Sequence, residues 1–123
     1  MSATPSTILV VEDDAIVRML IVDVLEELEF NVLEAEEGQI ALALLEDKRY
    51  QIDLLMTDYG LPGMTGKELA QRARKIHQQL PILFASGYAE TLEISEGMGV
   101  IGKPFSIDQL RNKVKSMLVE QQR

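Results

Sequence analysis

Glu12-Asp13-Asp14, Asp58, Ser86 and Lys103 are side chains suited to phosphoryl chemistry, and each lies where a short apolar run gives out. Ile8-Leu9-Val10-Val11 stops at the acidic triplet, Ile52 to Thr57 stops at Asp58, Pro81 to Ala85 stops at Ser86, and Val100-Ile101 precedes Lys103-Pro104. Carboxylates brought together repel one another unless a cation neutralises them, and oxygen-only donors suit Mg²⁺, which keeps waters and binds phosphate. A carboxylate can also attack phosphorus to give an aspartyl phosphate, leaving catalysis to alignment and charge stabilisation. On this reading Asp58 is the central nucleophile. Lys103 pairs with a carboxylate at rest and with a phosphoryl oxygen later, while the Ser86 hydroxyl donates to another of those oxygens.

Taken singly, each residue has a duller role. Asp13 or Asp14 alone is a helix N-cap, a task assigned here to Asp14. Asp58 alone is a turn former, Ser86 a strand-end hydroxyl and Lys103 a solvated cation. The conjunction decides, because the duller roles require independent coincidences at strand ends on one edge. His77, the sole histidine, precedes Gln78-Gln79 and reads as a surface residue, and Met19, Met56 and Met117 lie in apolar patterns that read as core.

Bringing those side chains together requires elements that end on the same side. Ile8 to Val11 reads as a buried strand, and Val17, Leu20, Ile21, Val24, Leu25 and Leu28 recur at helical spacing, predicting a helix over Ala15 to Leu28 with that stripe facing a sheet. Asn31 to Ala35 is a second strand, and Ile40, Ala41, Leu44 and Leu45 mark a second helix ending near Asp47-Lys48-Arg49. Ile52 to Thr57 is the third strand, delivering Asp58 to a loop rich in Gly and Pro. Thr65-Gly66-Lys67-Glu68 has capping-box spacing for a helix continuing through Leu69, Ala73 and Ile76. Pro81 to Ala85 and Val100-Ile101 are further strands, and Ser106-Ile107-Asp108-Gln109 caps a last helix carrying Leu110, Val114, Met117 and Leu118. Glu96-Gly97-Met98-Gly99 opposes helix formation, leaving at most about two turns for a fourth helix over Ala89 to Ser95. This alternation predicts an α/β fold, a doubly wound parallel sheet with right-handed crossovers, in which ligands bind beyond the carboxyl ends of the strands.

Composition narrows the setting. The 123 residues suit one domain, with residues 1–6 as a flexible leader. No cysteine is present, so disulfides and thiolate metal sites are excluded and a reducing cytoplasm is the natural compartment. Apolar runs are too short to span a bilayer, and residues 1–5 lack a signal-peptide pattern. A net charge of −8 would repel a phosphate backbone, so no nucleic-acid partner is expected.

Val11-Glu12-Asp13-Asp14, the run Asp58-Tyr59-Gly60-Leu61-Pro62-Gly63-Met64-Thr65-Gly66 and Lys103-Pro104-Phe105 together resemble a response-regulator receiver, and the resemblance covers nearly the whole chain. It implies a flavodoxin-like fold, a five-stranded parallel sheet in the order 2-1-3-4-5, over a single receiver domain spanning residues 1–123. It implies that Asp58 is the phosphoacceptor, that Glu12 and Asp13 bind Mg²⁺ directly or through water, and that the Gly60 carbonyl is a further ligand. Ser86 and Lys103 would hold the phosphoryl oxygens, with the Lys103-Pro104 bond cis. The implied partners are a sensor histidine kinase or histidine phosphotransfer protein and a downstream protein target. Phe84-Ala85-Ser86-Gly87-Tyr88 is similar to the Phe-Ala-Thr-Gly-Tyr motif of an α-proteobacterial subgroup, with serine keeping the hydroxyl of threonine.

Val100 stands where receivers commonly carry an aromatic three residues before the lysine, so aromatic-switch coupling is not expected. Instead, phosphorylation is expected to order residues 87–99, a rigid loop there being the alternative. Gly60 and Tyr88 would flank the path of attacking water and tune phosphoryl lifetime. The protein is expected to be no enzyme beyond its own phosphorylation and dephosphorylation. Output should pass through protein contacts on the last two strands and helices, and the start at Met1 favours a stand-alone chain over an excised receiver of a hybrid kinase. A phosphate sink or relay receiver and a phosphorylation-independent binding module remain open. A phosphohydrolase is disfavoured, because it needs an aspartate acid two residues after Asp58, where Gly60 stands.

Overall fold

A computed structural model describes residues 5–87 and 95–121, with side chains described to residue 118. The elements run β1 (Thr7–Val11), α1 (Ala15–Glu27), β2 (Asn31–Ala35), α2 (Gly38–Glu46), β3 (Leu54–Asp58), α3 (Gly66–Ile76), β4 (Ile82–Ser86), β5 (Met98–Gly102) and α4 (Ile107–Gln121). All strand pairs are parallel, in the order β2-β1-β3-β4-β5, which is the doubly wound order expected.

Alternation along each strand sends successive side chains to opposite faces, so a run apolar at every position needs a cover on both. Ile8, Val10, Leu54, Met56, Leu83 and Ala85 pack under α1 and α4, whereas Leu9, Val11, Leu55, Ile82 and Phe84 pack under α2 and α3. Helices on both faces follow from that double burial.

Expected boundaries shift by a residue or two. β3 begins at Leu54 rather than Ile52 and takes in Asp58, α1 stops at Glu27 with Leu28 as its cap, and β4 takes in Ser86. β5 extends from two expected residues to Met98–Gly102, because the ladder to β4 carries Gly99 and Gly102 despite their poor strand propensity. Two burial expectations are corrected. Leu20 is 57% and Met19 53% exposed, although the apolar pattern assigns both to the core. At about 100° per residue the seam is centred on Ile21 and Leu25, which leaves Leu20 on its flank and Met19 on the far side. Met56 and Met117 are buried as expected.

The fourth helix expected over Ala89 to Ser95, and Tyr88, fall on or run into residues 88–94, which lie outside the described residues. Of the leader, Pro5 and Ser6 accept hydrogen bonds from Asn31, through its side-chain and backbone N–H groups respectively.

The loop after Asp58 is held to α3 by close backbone contact. Thr65 caps α3 by accepting from the Glu68 N–H, and the Gly66 N–H donates to the Tyr59 carbonyl at 2.9 Å. A Cβ at residue 66 would lie 2.6 Å from the Asp58 carbonyl oxygen and 2.8 Å from the Tyr59 Cα, backbone atoms that cannot swing aside. Gly66→Ala is therefore expected to cost about 2 kcal/mol of stability, with amide shifts at Asp58 and Tyr59. Urea unfolding and an NMR amide map check both.

Candidate acidic site at the strand ends

Each chemical side chain takes its position from the end of a strand. The Glu12 N–H donates to the Ala35 carbonyl at 3.1 Å, continuing the β1–β2 ladder one residue past β1, and Asp14 opens α1 by accepting from the Ile16 and Val17 N–H groups. Asp58 and Ser86 are the last residues of β3 and β4. Just after β5, the Lys103 N–H donates to the Ser86 carbonyl at 2.9 Å, and the Lys103-Pro104 peptide is cis.

The side chains converge across 91 residues of sequence. Lys103 Nζ donates to Asp58 Oδ1 at 2.7 Å and to Glu12 Oε1 at 3.2 Å, while Glu12 Oε2 accepts from the Asp14 N–H at 3.1 Å. One oxygen each from Glu12, Asp13 and Asp58 lies within 4.8 Å of the others. Glu12 is buried, Asp58 half-buried and Asp13 exposed, so the cluster is a cup open to solvent on the Asp13 side. Ser86 is buried at the end of β4, and Gly60 lies in the exposed turn two residues past Asp58.

Three carboxylates against one ammonium leave the cluster short of positive charge. Burial pushes the Glu12 carboxyl above its ordinary range, against the Asp14 N–H and the Lys103 charge, which pull it down. Burial also disfavours the Lys103 ammonium, but Asp58 and Glu12 together hold its pKa above the usual lysine value. The donors are all oxygens, with no thiolate or imidazole among them, which matches a hard divalent cation such as Mg²⁺. By donor chemistry the residues fit that ion.

Some surroundings were not legible beforehand. Thr57 is fully buried and donates its hydroxyl to the Asp58 carbonyl at 2.9 Å. Tyr59 meets Phe84 edge-on at 5.3 Å between ring centres. Ile16, Met19, Leu20 and Ile107 are large apolar side chains left exposed, and Leu20 and Ile107 line a cavity of about 550 Å³ that Lys103 and Phe105 also line. Arg18, whose signal in the sequence is a lone base in an apolar stretch of α1, reaches back to the Glu12 carbonyl.

Residues 8–115 match the family model described as the response regulator receiver domain. The chain is 37% identical over 121 residues to the sensor kinase CckA of Brucella abortus, covering 94% of this chain and 13% of that protein. It is 33% identical to the response regulator receiver protein CpdR of the same organism, covering 91% of this chain and 96% of that one. The crystal structure of the receiver domain from the hybrid histidine kinase CckA superposes with a TM-score of 0.82 at 35% identity, covering 92% of this chain and 99% of that domain. Relatives thus include both a protein of similar length and one of which the chain matches a small part.

Replacing Lys103 by methionine leaves Glu12 and Asp58 facing each other without an ammonium, and should cost about 2 kcal/mol at neutral pH. Because the folded-state pKa of Lys103 is raised, its stabilisation is fully present below the ordinary lysine value and is lost as pH rises through the folded value. Denaturant unfolding of both proteins from pH 7 to pH 11 should show their difference shrinking at the alkaline end.

Proposed function

The chain belongs to the response-regulator receiver family, and from that premise we propose that Asp58 accepts a phosphoryl group from a phosphohistidine on a sensor histidine kinase or histidine phosphotransfer protein. The observation that carries this reading is the Lys103 ammonium, held at 2.7 Å from Asp58 Oδ1 and 3.2 Å from Glu12 Oε1 at the mouth of an oxygen-only cluster.

Asp58 attacks phosphorus through a carboxylate oxygen, the P–N bond to the donor imidazole breaks as the P–O bond forms, and the imidazole leaves with the electron pair. Glu12, Asp13, Asp58 and the Gly60 carbonyl are the proposed holders of Mg²⁺, which when bound supplies positive charge to the phosphoryl oxygens. Lys103 exchanges its contact with Asp58 for a phosphoryl oxygen, and the Ser86 hydroxyl donates to another. Hydrolysis of the resulting acyl phosphate returns Asp58, so the chemistry is limited to the protein's own phosphorylation and dephosphorylation.

A protein donor is supported by the exposed apolar residues Leu20 and Ile107, which line a cavity shared with Lys103 and would give a helical partner something to bury while its histidine reaches Asp58. The similarity of Phe84-Ala85-Ser86-Gly87-Tyr88 to the Phe-Ala-Thr-Gly-Tyr motif supports assigning the chain to that subgroup, and the proposal includes a downstream protein target and a cytoplasmic setting. Among the described residues no helix is long and apolar enough to cross a membrane.

Intact mass after incubation with acetyl phosphate tests the proposal. A single phosphoryl adduct that needs Mg²⁺, survives acid, is lost in mild base and is absent from Asp58→Asn is the expected result. An adduct that persists in Asp58→Asn would overturn the assignment.

A further inference from the structure

The turn between β1 and α1 delivers two of the three clustered carboxylates, and it is tied down from more than one direction. The Glu12 N–H is spent on the Ala35 carbonyl and Glu12 Oε2 accepts from the Asp14 N–H. The Glu12 carbonyl lies past the end of β1 and before the first helical carbonyl, Asp14, which accepts from the Arg18 N–H at 2.9 Å. It is met instead by a guanidinium: Arg18 Nη1 donates to it at 2.6 Å. The same guanidinium turns its Nε to Glu34 Oε1 at 3.2 Å, on β2, where Glu34 pairs with Val10 of β1. The Arg18 side chain is only 17% exposed and the Glu34 side chain 51%, so the inner contact is with the Glu12 carbonyl and Glu34 serves as the outer stay.

We infer that Arg18 is a positioning residue for the cation site, holding the Glu12 carbonyl so that the Glu12 and Asp13 carboxylates face Asp58. The inference rests on the reading of the cluster as a Mg²⁺ site. A planar fork with donors on two edges can serve a carbonyl and a carboxylate at once, which a lysine ammonium at the end of a flexible stem does not reproduce. Arg18's side-chain hydrogen bonds go to the Glu12 carbonyl and to Glu34, not to a carboxylate of the cluster, so its effect passes through backbone geometry. Groups that orient ligands in this way commonly change metal affinity by one to two orders of magnitude.

Three variants and three readouts test it. Arg18→Met keeps the apolar stem and should weaken Mg²⁺ binding roughly tenfold by calorimetry, while the rate of phosphorylation by acetyl phosphate at saturating Mg²⁺ stays within about twofold of the parent. Arg18→Lys should recover little of the lost affinity, and full recovery would overturn the fork in favour of a simple charge effect. Glu34→Leu frees the guanidinium on its outer side and should weaken binding by a smaller factor in the same direction, which keeps the inference testable if Arg18→Met does not fold. In metal-free protein, Arg18→Met should also speed hydrogen exchange at the Asp14 amide, a readout independent of any ion. Unchanged exchange together with unchanged Mg²⁺ affinity would overturn the inference. A parent protein that binds no Mg²⁺ would instead sink the reading of the cluster, and the exchange comparison alone would then decide whether Arg18 holds the turn.

Discussion

Crowding of carboxylates against a single ammonium is the constraint on which the rest of the structure turns. Glu12, Asp13 and Asp58 offer oxygens within 4.8 Å of one another, and Lys103 reaches two of the three. Like charges at such range raise one another's cost, the more so for Glu12, which is nearly excluded from water. Isolated from its neighbours this arrangement would be a defect. It persists because the packed sheet around it leaves the chain no alternative path.

That sheet is rigid because both faces are covered. The buried residues of β1, β3 and β4 alternate between two clusters, so a one-residue slip of any strand would exchange its faces and undo the packing on both. Register therefore fixes where each strand stops. With the strands parallel, their carboxyl ends share one edge, and the residues following β1, ending β3 and β4 and following β5 meet there as a geometric consequence. Tight backbone approach at Gly66 and the Arg18 contact to the Glu12 carbonyl hold the loops that leave this edge.

Much of this could be read from the residues alone, for physical reasons. Strands buried on both faces are short continuous apolar runs, so their ends are marked by the first charge or turn residue, and those residues are the site itself. Asp14 announced α1 by the local hydrogen-bonding preference of a short carboxylate, and Thr65 announced α3 likewise. What escaped depended on long-range geometry. Leu20 and Met19 share the apolar character of Ile21, and only the direction of the helix against the sheet decides which of them is covered. Only two residues of β5 stand out in the sequence, because its glycines hide a strand that the β4 ladder imposes. Arg18 carries no motif, since its partner is a backbone carbonyl that is brought within reach only by the β1–α1 turn.

The most direct test of the central claim is to locate a cation in the cluster. Mn²⁺ shares the preference of Mg²⁺ for six oxygen ligands and scatters anomalously. Crystals grown with Mn²⁺ should show one strong anomalous peak within ligating distance of oxygens from Asp13 and Asp58, with the Lys103 ammonium still facing Asp58 or Glu12. A map with no peak at the strand ends, or with its only peak elsewhere on the surface, would contradict the account.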